Sequence, residues 1–148
     1  MRIHPLALED CKEAARLHQT AFFKAWSEKE FQEFLQNSLT YGLKIEENHH
    51  LCGYLLWREV GEEAEILTLV VTPSHQRTGM GGLLLTTLFK RLIEKGIGEL
   101  FLEVAEDNKP AQSFYIKHGF VLLSKRPHYY PREQNKLVPA FNFFKKLV

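Results

Sequence analysis

Apolar and polar positions along this chain change their period several times, and each change marks an element. Arg2 to Pro5 reads as a short strand. From Leu8 to Phe22 the apolar residues Cys11, Ala14, Ala15, Leu17, Ala21 and Phe22 recur at helical spacing. A second helix is predicted to start sharply at Ser27. Ser27 and Glu30 form a capping box, Trp26 can staple onto Phe31, and the helix runs to about Gln36. Strand-like segments follow at about Thr40 to Ile45, Leu51 to Trp57 and Glu65 to Val71. Asn48-His49-His50 and Glu59 to Glu63 are the turns between them, the pattern of an antiparallel meander.

The long helix from Gly82 carries Leu84, Leu85, Leu88, Leu92 and Ile93 on one side, with Gly96 as its C-terminal cap. A fifth strand spans about Glu99 to Val104. Asn108 can cap the next helix, Pro110 falls in its first turn where no intrahelical N–H is needed, and Gly119 ends it. Phe120 to Leu123 begins another strand, and Phe141 to Leu147 is a weaker final one. Pro139 cannot donate to a central ladder, so the final strand is expected to be shortened or to lie at an edge. This order predicts an α/β (α+β) fold built on a mixed sheet, with a strand-to-helix crossover after Val71.

With 148 residues, 45% hydrophobic and 25% charged, the expectation is one ordinary globular domain over residues 1–148. No apolar run reaches membrane-spanning length and no signal-peptide core follows Met1, so a cytoplasmic location is expected, with no membrane partner. Cys11 and Cys52 stand in no metal-ligand spacing, and no metal is expected. His75 and the pair His49-His50 are loop residues without a visible partner and receive no role. The net charge of +1 conceals an asymmetry: residues 1–65 sum to −5 and residues 66–148 to +6. A basic half suits a ligand with several negative charges. No long basic run supports nucleic-acid binding.

That basic half contains Val71-Thr72-Pro73-Ser74-His75-Gln76-Arg77-Thr78-Gly79-Met80-Gly81-Gly82, between the apolar run Ile66 to Val71 and the long helix. A strand that enters a Gly-rich turn and then a helix presents backbone N–H groups and the positive end of the helix dipole to an anion. Gly79, Gly81 and Gly82 let a phosphate approach without meeting a Cβ. The spacing is neither Gly-x-Gly-x-x-Gly nor Gly-Lys-Ser/Thr, so the dinucleotide and nucleoside-triphosphate readings fail.

Downstream, Leu100, Leu102 and Val104 alternate with Glu99, Phe101 and Glu103, which puts Glu103 on the face opposite the leucines. Asn108 and Tyr115 lie two turns apart on the next helix, with Ala111 and Gln112 between them. Only Ala105, Glu106 and Asp107 join strand to helix, so Glu103 and Tyr115 can open into one cleft as a base–acid pair.

Gln76-x-x-Gly79-x-Gly81 after Val71-Thr72-Pro73 resembles the acyl-coenzyme A pyrophosphate loop of the GNAT superfamily of N-acetyltransferases. Leu102-Glu103-Val104 with Asn108, Ala111, Tyr115 and Gly119-Phe120 resembles its second signature. More narrowly, Trp26-Ser27-Glu28-Lys29, the Gln76-Arg77 loop, Leu102-Glu103-Val104, and Arg126 with Tyr129-Tyr130-Pro131 look like the bacterial ribosomal-protein N-terminal alanine acetyltransferase subfamily, over about residues 20–131. The resemblance implies a mostly antiparallel sheet with helices on both faces and a V-shaped opening at the coenzyme site. Acetyl-coenzyme A is the implied cosubstrate. It further implies that the backbone of Leu69, Val70 and Val71 pairs with the pantetheine arm. Gln76 and the N–H groups of Arg77, Thr78, Gly79, Met80, Gly81 and Gly82 would hold the pyrophosphate, and Asn108 the pantetheine or adenosine portion. Glu103 would accept the amine's proton, directly or through water, and Tyr115 would protonate the departing thiolate. The implied acceptor is a protein N-terminus, that of a ribosomal protein foremost, and the expected assembly is a monomer or weak homodimer.

After Pro131 the subfamily usually has Gly-Arg-Glu-Asp-Ala, whereas this chain reads Arg132-Glu133-Gln134-Asn135-Lys136-Leu137-Val138-Pro139. Amine chemistry gives a separate guide, because only the neutral amine attacks a thioester. An α-amine is roughly 10–15% neutral at pH 7 and a lysine about 0.04%. The α-amine is thus favoured, and three readings stand. They are a protein N-terminal acetyltransferase, an acetyltransferase for a lysine side chain or small amine, and a non-catalytic acyl-coenzyme A sensor. The sensor would need the glycine loop but neither Glu103 nor Tyr115.

Overall fold

The computed structural model describes residues 2–148. Among them the strands are β1 (Arg2–Pro5), β2 (Thr40–Glu47), β3 (His50–Val60), β4 (Glu63–Val71), β5 (Glu99–Ala105), β6 (Val121–Pro131) and β7 (Leu137–Lys146). The helices are α1 (Cys11–Ala21), α2 (Glu28–Gln36), α3 (Met80–Glu94) and α4 (Lys109–Lys117). One sheet runs in the order β1-β2-β3-β4-β5-β7-β6. Every neighbouring pair is antiparallel except β4 and β5.

Helices cover both faces. α3 and α4 bury Met80, Leu84, Leu85, Leu88, Leu92 and Tyr115 against Leu55, Trp57, Ile66, Leu100, Leu102 and Phe143. On the opposite face α1 and α2 pack Cys11, Ala14, Leu17 and Phe31 onto Tyr54, Leu56 and Val70. The start of α2 follows the capping rule, since Glu30 N–H donates to Ser27 Oγ at 3.1 Å and Ser27 N–H to Glu30 Oε1 at 3.1 Å. The Trp26 and Phe31 rings meet edge-on at 5.3 Å.

Some expected boundaries move. Asn48 and His49 both adopt positive φ, so the hairpin turn needs two residues and His50 already belongs to β3. Ile93 is not part of the apolar face of α3: it is exposed, and Leu92 takes the core position. β6 begins at Val121, as expected, and continues to Pro131. As the outer strand it is exposed for most of its length, which removes the alternation that marks a strand in sequence.

β7 is the largest correction. It is an interior strand of ten residues, neither shortened nor at an edge, and Pro139 lies within it. Its pairing to β5 ends at Ala140, and its pairing to β6 is interrupted between Arg126 and Tyr130, where His128 takes a φ of 52°. Pro139 sits opposite that interruption, so its missing N–H removes no ladder bond. Its carbonyl still accepts from Glu106 N–H at 2.9 Å.

Two irregularities shape the functional region. Ile66 pairs with Trp57 and Thr68 with Leu56, which leaves Leu67 as an extra residue in β4. β4 and β5 pair only from Glu63–Glu65 to Glu99–Phe101. Beyond that point the two parallel strands diverge and the sheet opens as a V.

Candidate active site

The V gives β4 one unsatisfied edge. From Leu69 to Val71 the strand is paired to β3 on one side and, among the described residues, has no ladder partner on the β5 side. The side chain of Val70 goes into the α1/α2 core, and those of Leu69 and Val71 pack under α3. The free element is therefore backbone, which suits an extended amide-containing arm added as a strand. Thr68 points to the same conclusion. Its hydroxyl is buried, lines the cleft, and has no hydrogen-bond partner among the described residues.

The glycine loop stands beyond the end of β4. Gln76 turns its amide back onto the Val71 carbonyl at 3.3 Å, and Thr78 Oγ1 donates to the His75 carbonyl. Arg77 and Gly79 take φ of 64° and 89°, so the chain is left-handed twice before α3 starts at Met80. The bond from Leu83 N–H to the Gly79 carbonyl, 3.0 Å, closes the first helical turn. It leaves the N–H groups of Met80, Gly81 and Gly82 without an intrahelical acceptor.

The glycines differ in what surrounds them. A Cβ at Gly79 would meet no heavy atom within 4 Å, so that position is open to a ligand. A Cβ at Gly81 would lie 3.3 Å from Phe114, and one at Gly82 3.1 Å from His118 Nε2. Those two glycines admit α4 against α3, a packing role that the motif alone did not reveal.

Glu103 and Tyr115 approach the V from opposite sides. Tyr115 hangs from α4 with its ring edge-on to Phe120 at 5.4 Å and Phe114 at 5.2 Å. Glu103 projects from the other face of β5, and Arg126 Nη2 lies 3.2 Å from its Oε1. Because the V cuts through the sheet, both line one cleft of about 380 Å³, together with Leu69 and Asn108. Burial raises the Tyr115 phenol above its ordinary value, so it keeps its proton through neutral pH, the form an acid needs. Asn108 caps α4 by accepting from Ala111 N–H at 3.2 Å. Gln112 is turned away, its amide bound to the carbonyls of Ala105 and Glu106 at 3.1 and 2.8 Å.

The sequence did not mark most of the cleft wall as site residues. One wall is the α1–α2 connection: Phe22 and Phe23 are exposed, and Trp26 and His18 lie beside them. The His18 ring stacks on Phe22 at 4.3 Å and Trp26 at 4.8 Å, and its Nδ1 accepts from Trp26 N–H at 3.0 Å. Burial pushes His18 down to about 4. The other wall is Tyr129, Tyr130, Pro131 and Arg132. Burial, and then the nearby Glu103 charge, push Tyr130 up to about 12. The available signals were Phe23 and the pair Tyr129-Tyr130, which no periodicity explains.

His75 was given no partner from sequence, and it has several. Nδ1 lies 2.7 Å from Thr72 Oγ1, and Nε2 lies 3.8 Å from Cys52 Sγ and 3.6 Å from Glu47 Oε2.

Comparison with known proteins gives the same direction as this geometry. The sequence profile of the Acetyltransferase (GNAT) family matches residues 11–120. The ribosomal protein bS18-alanine N-acetyltransferase of Escherichia coli K12 is 31% identical over 129 residues, 87% of this chain and 86% of that protein. The Haemophilus influenzae protein of the same name is 39% identical over 90 residues, and there the match spans 61% of either chain. A crystal structure of the Escherichia coli ribosomal-protein-S18-alanine N-acetyltransferase superposes with a TM-score of 0.91 at 28% identity, covering 99% of this chain and 93% of that one. A V-shaped gap between parallel strands, a glycine loop opening a helix, and a profile match over most of the chain place it together: this chain belongs to the GNAT acetyltransferase family.

Proposed function

We propose that this acetyltransferase moves the acetyl group of acetyl-coenzyme A to the N-terminal α-amine of a protein, foremost the alanine of a ribosomal protein. The observation that carries the chemistry is the meeting of Glu103 and Tyr115 in a cleft bounded by the unpaired edge of β4. The acceptor class rests on the two bS18-alanine enzymes and on the greater neutral fraction of an α-amine.

The chain's groups fit the coenzyme. Arg77 to Gly82 offer backbone N–H groups to a pyrophosphate, and Leu69 to Val71 offer a strand edge to the pantetheine arm. Bound acetyl-coenzyme A supplies an activated thioester. Glu103 takes a proton from the incoming amine through a water molecule as the N–C bond forms and the C–S bond breaks. Tyr115 gives its hydroxyl proton to the sulfur that leaves, and recovers one from solvent. The aromatic walls at 22–26 and 129–130 flank the path by which an acceptor chain would reach the thioester. A cytoplasmic location goes with this reading.

Release of coenzyme A from acetyl-coenzyme A tests it. The acceptors are free N-terminal peptides, the same peptides blocked at the N-terminus but carrying lysine, and a set of small amines. Turnover confined to free N-termini, with mass spectrometry locating the acetyl on the α-nitrogen, is the expected result. Turnover only on lysine or small amines would overturn the acceptor, and tight binding without turnover would make the protein a sensor.

A further inference from the structure

Away from the cleft, at the other end of the β2–β3 hairpin, three side chains of metal-ligating type converge. Glu47 ends β2, Cys52 lies two residues into β3 beyond His50, and His75 closes the turn that follows β4. Their ligand atoms all lie within 4.8 Å of one another. Cys52 Sγ and His75 Nε2 are 3.8 Å apart, and His75 Nε2 and Glu47 Oε2 3.6 Å. For zinc bonds of about 2.0–2.3 Å arranged tetrahedrally, ligand atoms stand roughly 3.3–3.6 Å apart. The two separations that involve His75 lie within a few tenths of an ångström of that spacing, and Cys52 and Glu47, within 4.8 Å of each other, close the rest by rotation of the exposed Glu47 side chain.

The frame behind these ligands is already rigid. Thr72 N–H donates to the Cys52 carbonyl at 2.8 Å, which fastens the start of the turn to β3. His75 N–H donates to the Thr72 carbonyl at 2.9 Å. Thr72 Oγ1, 2.7 Å from His75 Nδ1, is placed to accept the Nδ1 proton. In that tautomer the Nε2 lone pair faces Cys52 and Glu47, the arrangement in which a ligating histidine is held by a partner on its other nitrogen. Ser74 Oγ, 3.1 Å from the same Nδ1, adds a second such partner. Cys52 is buried whereas Glu47 is exposed, so the cluster has a protein side and an open side through which an ion can enter.

We propose that Glu47, Cys52 and His75 form a site for a divalent zinc-class cation. The three side chains supply three ligands, and water takes the fourth position. On binding, the thiol proton of Cys52 passes to solvent and the thiolate becomes the sulfur ligand. The ion ties the β2–β3 hairpin to the turn at 73–75, from which the loop at 76–82 departs. The sequence carries no ligand spacing for this, because positions 47, 52 and 75 are assembled by the sheet.

Cobalt(II) titration of the tag-free protein, reduced and stripped with chelator, tests the site. One equivalent should produce a thiolate-to-cobalt charge-transfer band and the visible bands of a tetrahedral centre, and zinc should bleach both. The signal should survive Cys11→Ala and disappear in Cys52→Ser and His75→Ala. Glu47→Gln, at a solvent-exposed position, should weaken cobalt binding by roughly tenfold or more. Circular dichroism of each variant separates lost ligation from lost folding. Absence of the band in the wild-type protein would overturn the proposal. So would a band that persists in Cys52→Ser, or equal affinity in Glu47→Gln and wild type.

Discussion

The guanidinium of Arg132 holds the Asp107 carboxylate with two bonds, Nε to Oδ2 at 2.8 Å and Nη2 to Oδ1 at 2.7 Å. The pair joins the chain just after β6 to the connection between β5 and α4, and it stands at the rim of the cleft. The bond from Arg132 is the main reason Asp107 titrates below the usual carboxylate range, and the same bond raises Arg132. The departure from the subfamily pattern after Pro131 therefore has a structural use. Arg132→Ala is expected to raise KM for the acceptor peptide while leaving KM for acetyl-coenzyme A nearly unchanged. Its stability cost should be small, about 0.5–1 kcal/mol, because the pair is partly exposed. Asp107→Asn should do the same, and the double variant should be little worse than either alone. Steady-state kinetics with each substrate varied in turn would check this, and additive losses would dissolve the pair as a unit.

Tyr115→Phe removes one hydroxyl from a ring whose packing stays in place. Turnover should fall by about tenfold or more, in line with general-acid effects of about 10²–10⁴, and acetyl-coenzyme A affinity should hold. Unchanged turnover at saturating substrates would take Tyr115 out of the reaction.

Gly79 separates conformational need from packing need. Its φ is 89° and no heavy atom stands within 4 Å of an added Cβ, so Gly79→Ala introduces backbone strain without a clash. A cost of about 1–2 kcal/mol is expected, a loss of roughly 2–6 °C in Tm for a chain of this size. Acetyl-coenzyme A binding, measured calorimetrically, should weaken as well. An unaltered Tm would mean that the loop does not keep this conformation in solution.

His18 sets an acid limit on stability. Its folded value is about 4, chiefly through burial and against a smaller opposing effect of Glu30 on α2, while an unfolded histidine titrates near 6.5. The unfolded chain therefore binds more protons between those values. Stability is fully present above about pH 6.5 and falls toward pH 4, with a slope of up to about 1.4 kcal/mol per pH unit from this residue. Protonating Nδ1 also breaks the bond from Trp26 N–H, so the wall at 22–26 should loosen first. Thermal melts from pH 7.5 to 4.5 should show a steeper decline for the wild type than for His18→Gln, and parallel curves would assign the decline elsewhere.

What could be read from the sequence follows from what each element reports locally. The capping box at Ser27–Glu30, the glycine loop and the Glu103–Tyr115 pair are carried by neighbouring residues and appear in the structure where the spacing put them. The interior place of β7 was illegible, because Pro139 is harmless only opposite an interruption in β6, ten or more residues away in sequence. The far end of β6 could not be read for another reason: exposed for most of its length, it has no alternation to display. His75 looked solitary because its companions at 47 and 52 reach it through strand pairing. Thr68 gave no sign at all, since a lone threonine in an apolar strand looks like any other.

Leu67 makes the binding edge an all-or-nothing inheritance. Past that single extra residue, the inside-outside assignment of β4 is reset: Leu69 and Val71 lie under α3, and Val70 enters the α1/α2 core. Deleting Leu67 would only remove the bulge, but deleting Leu69 or Val70 beyond it would exchange the assignments of the residues that follow and force their side chains into the wrong layer. Point substitutions can therefore tune this strand, whereas length changes past the bulge cannot. The groove's geometry is thus set by the two cores that sandwich it, on which the ligand edge depends.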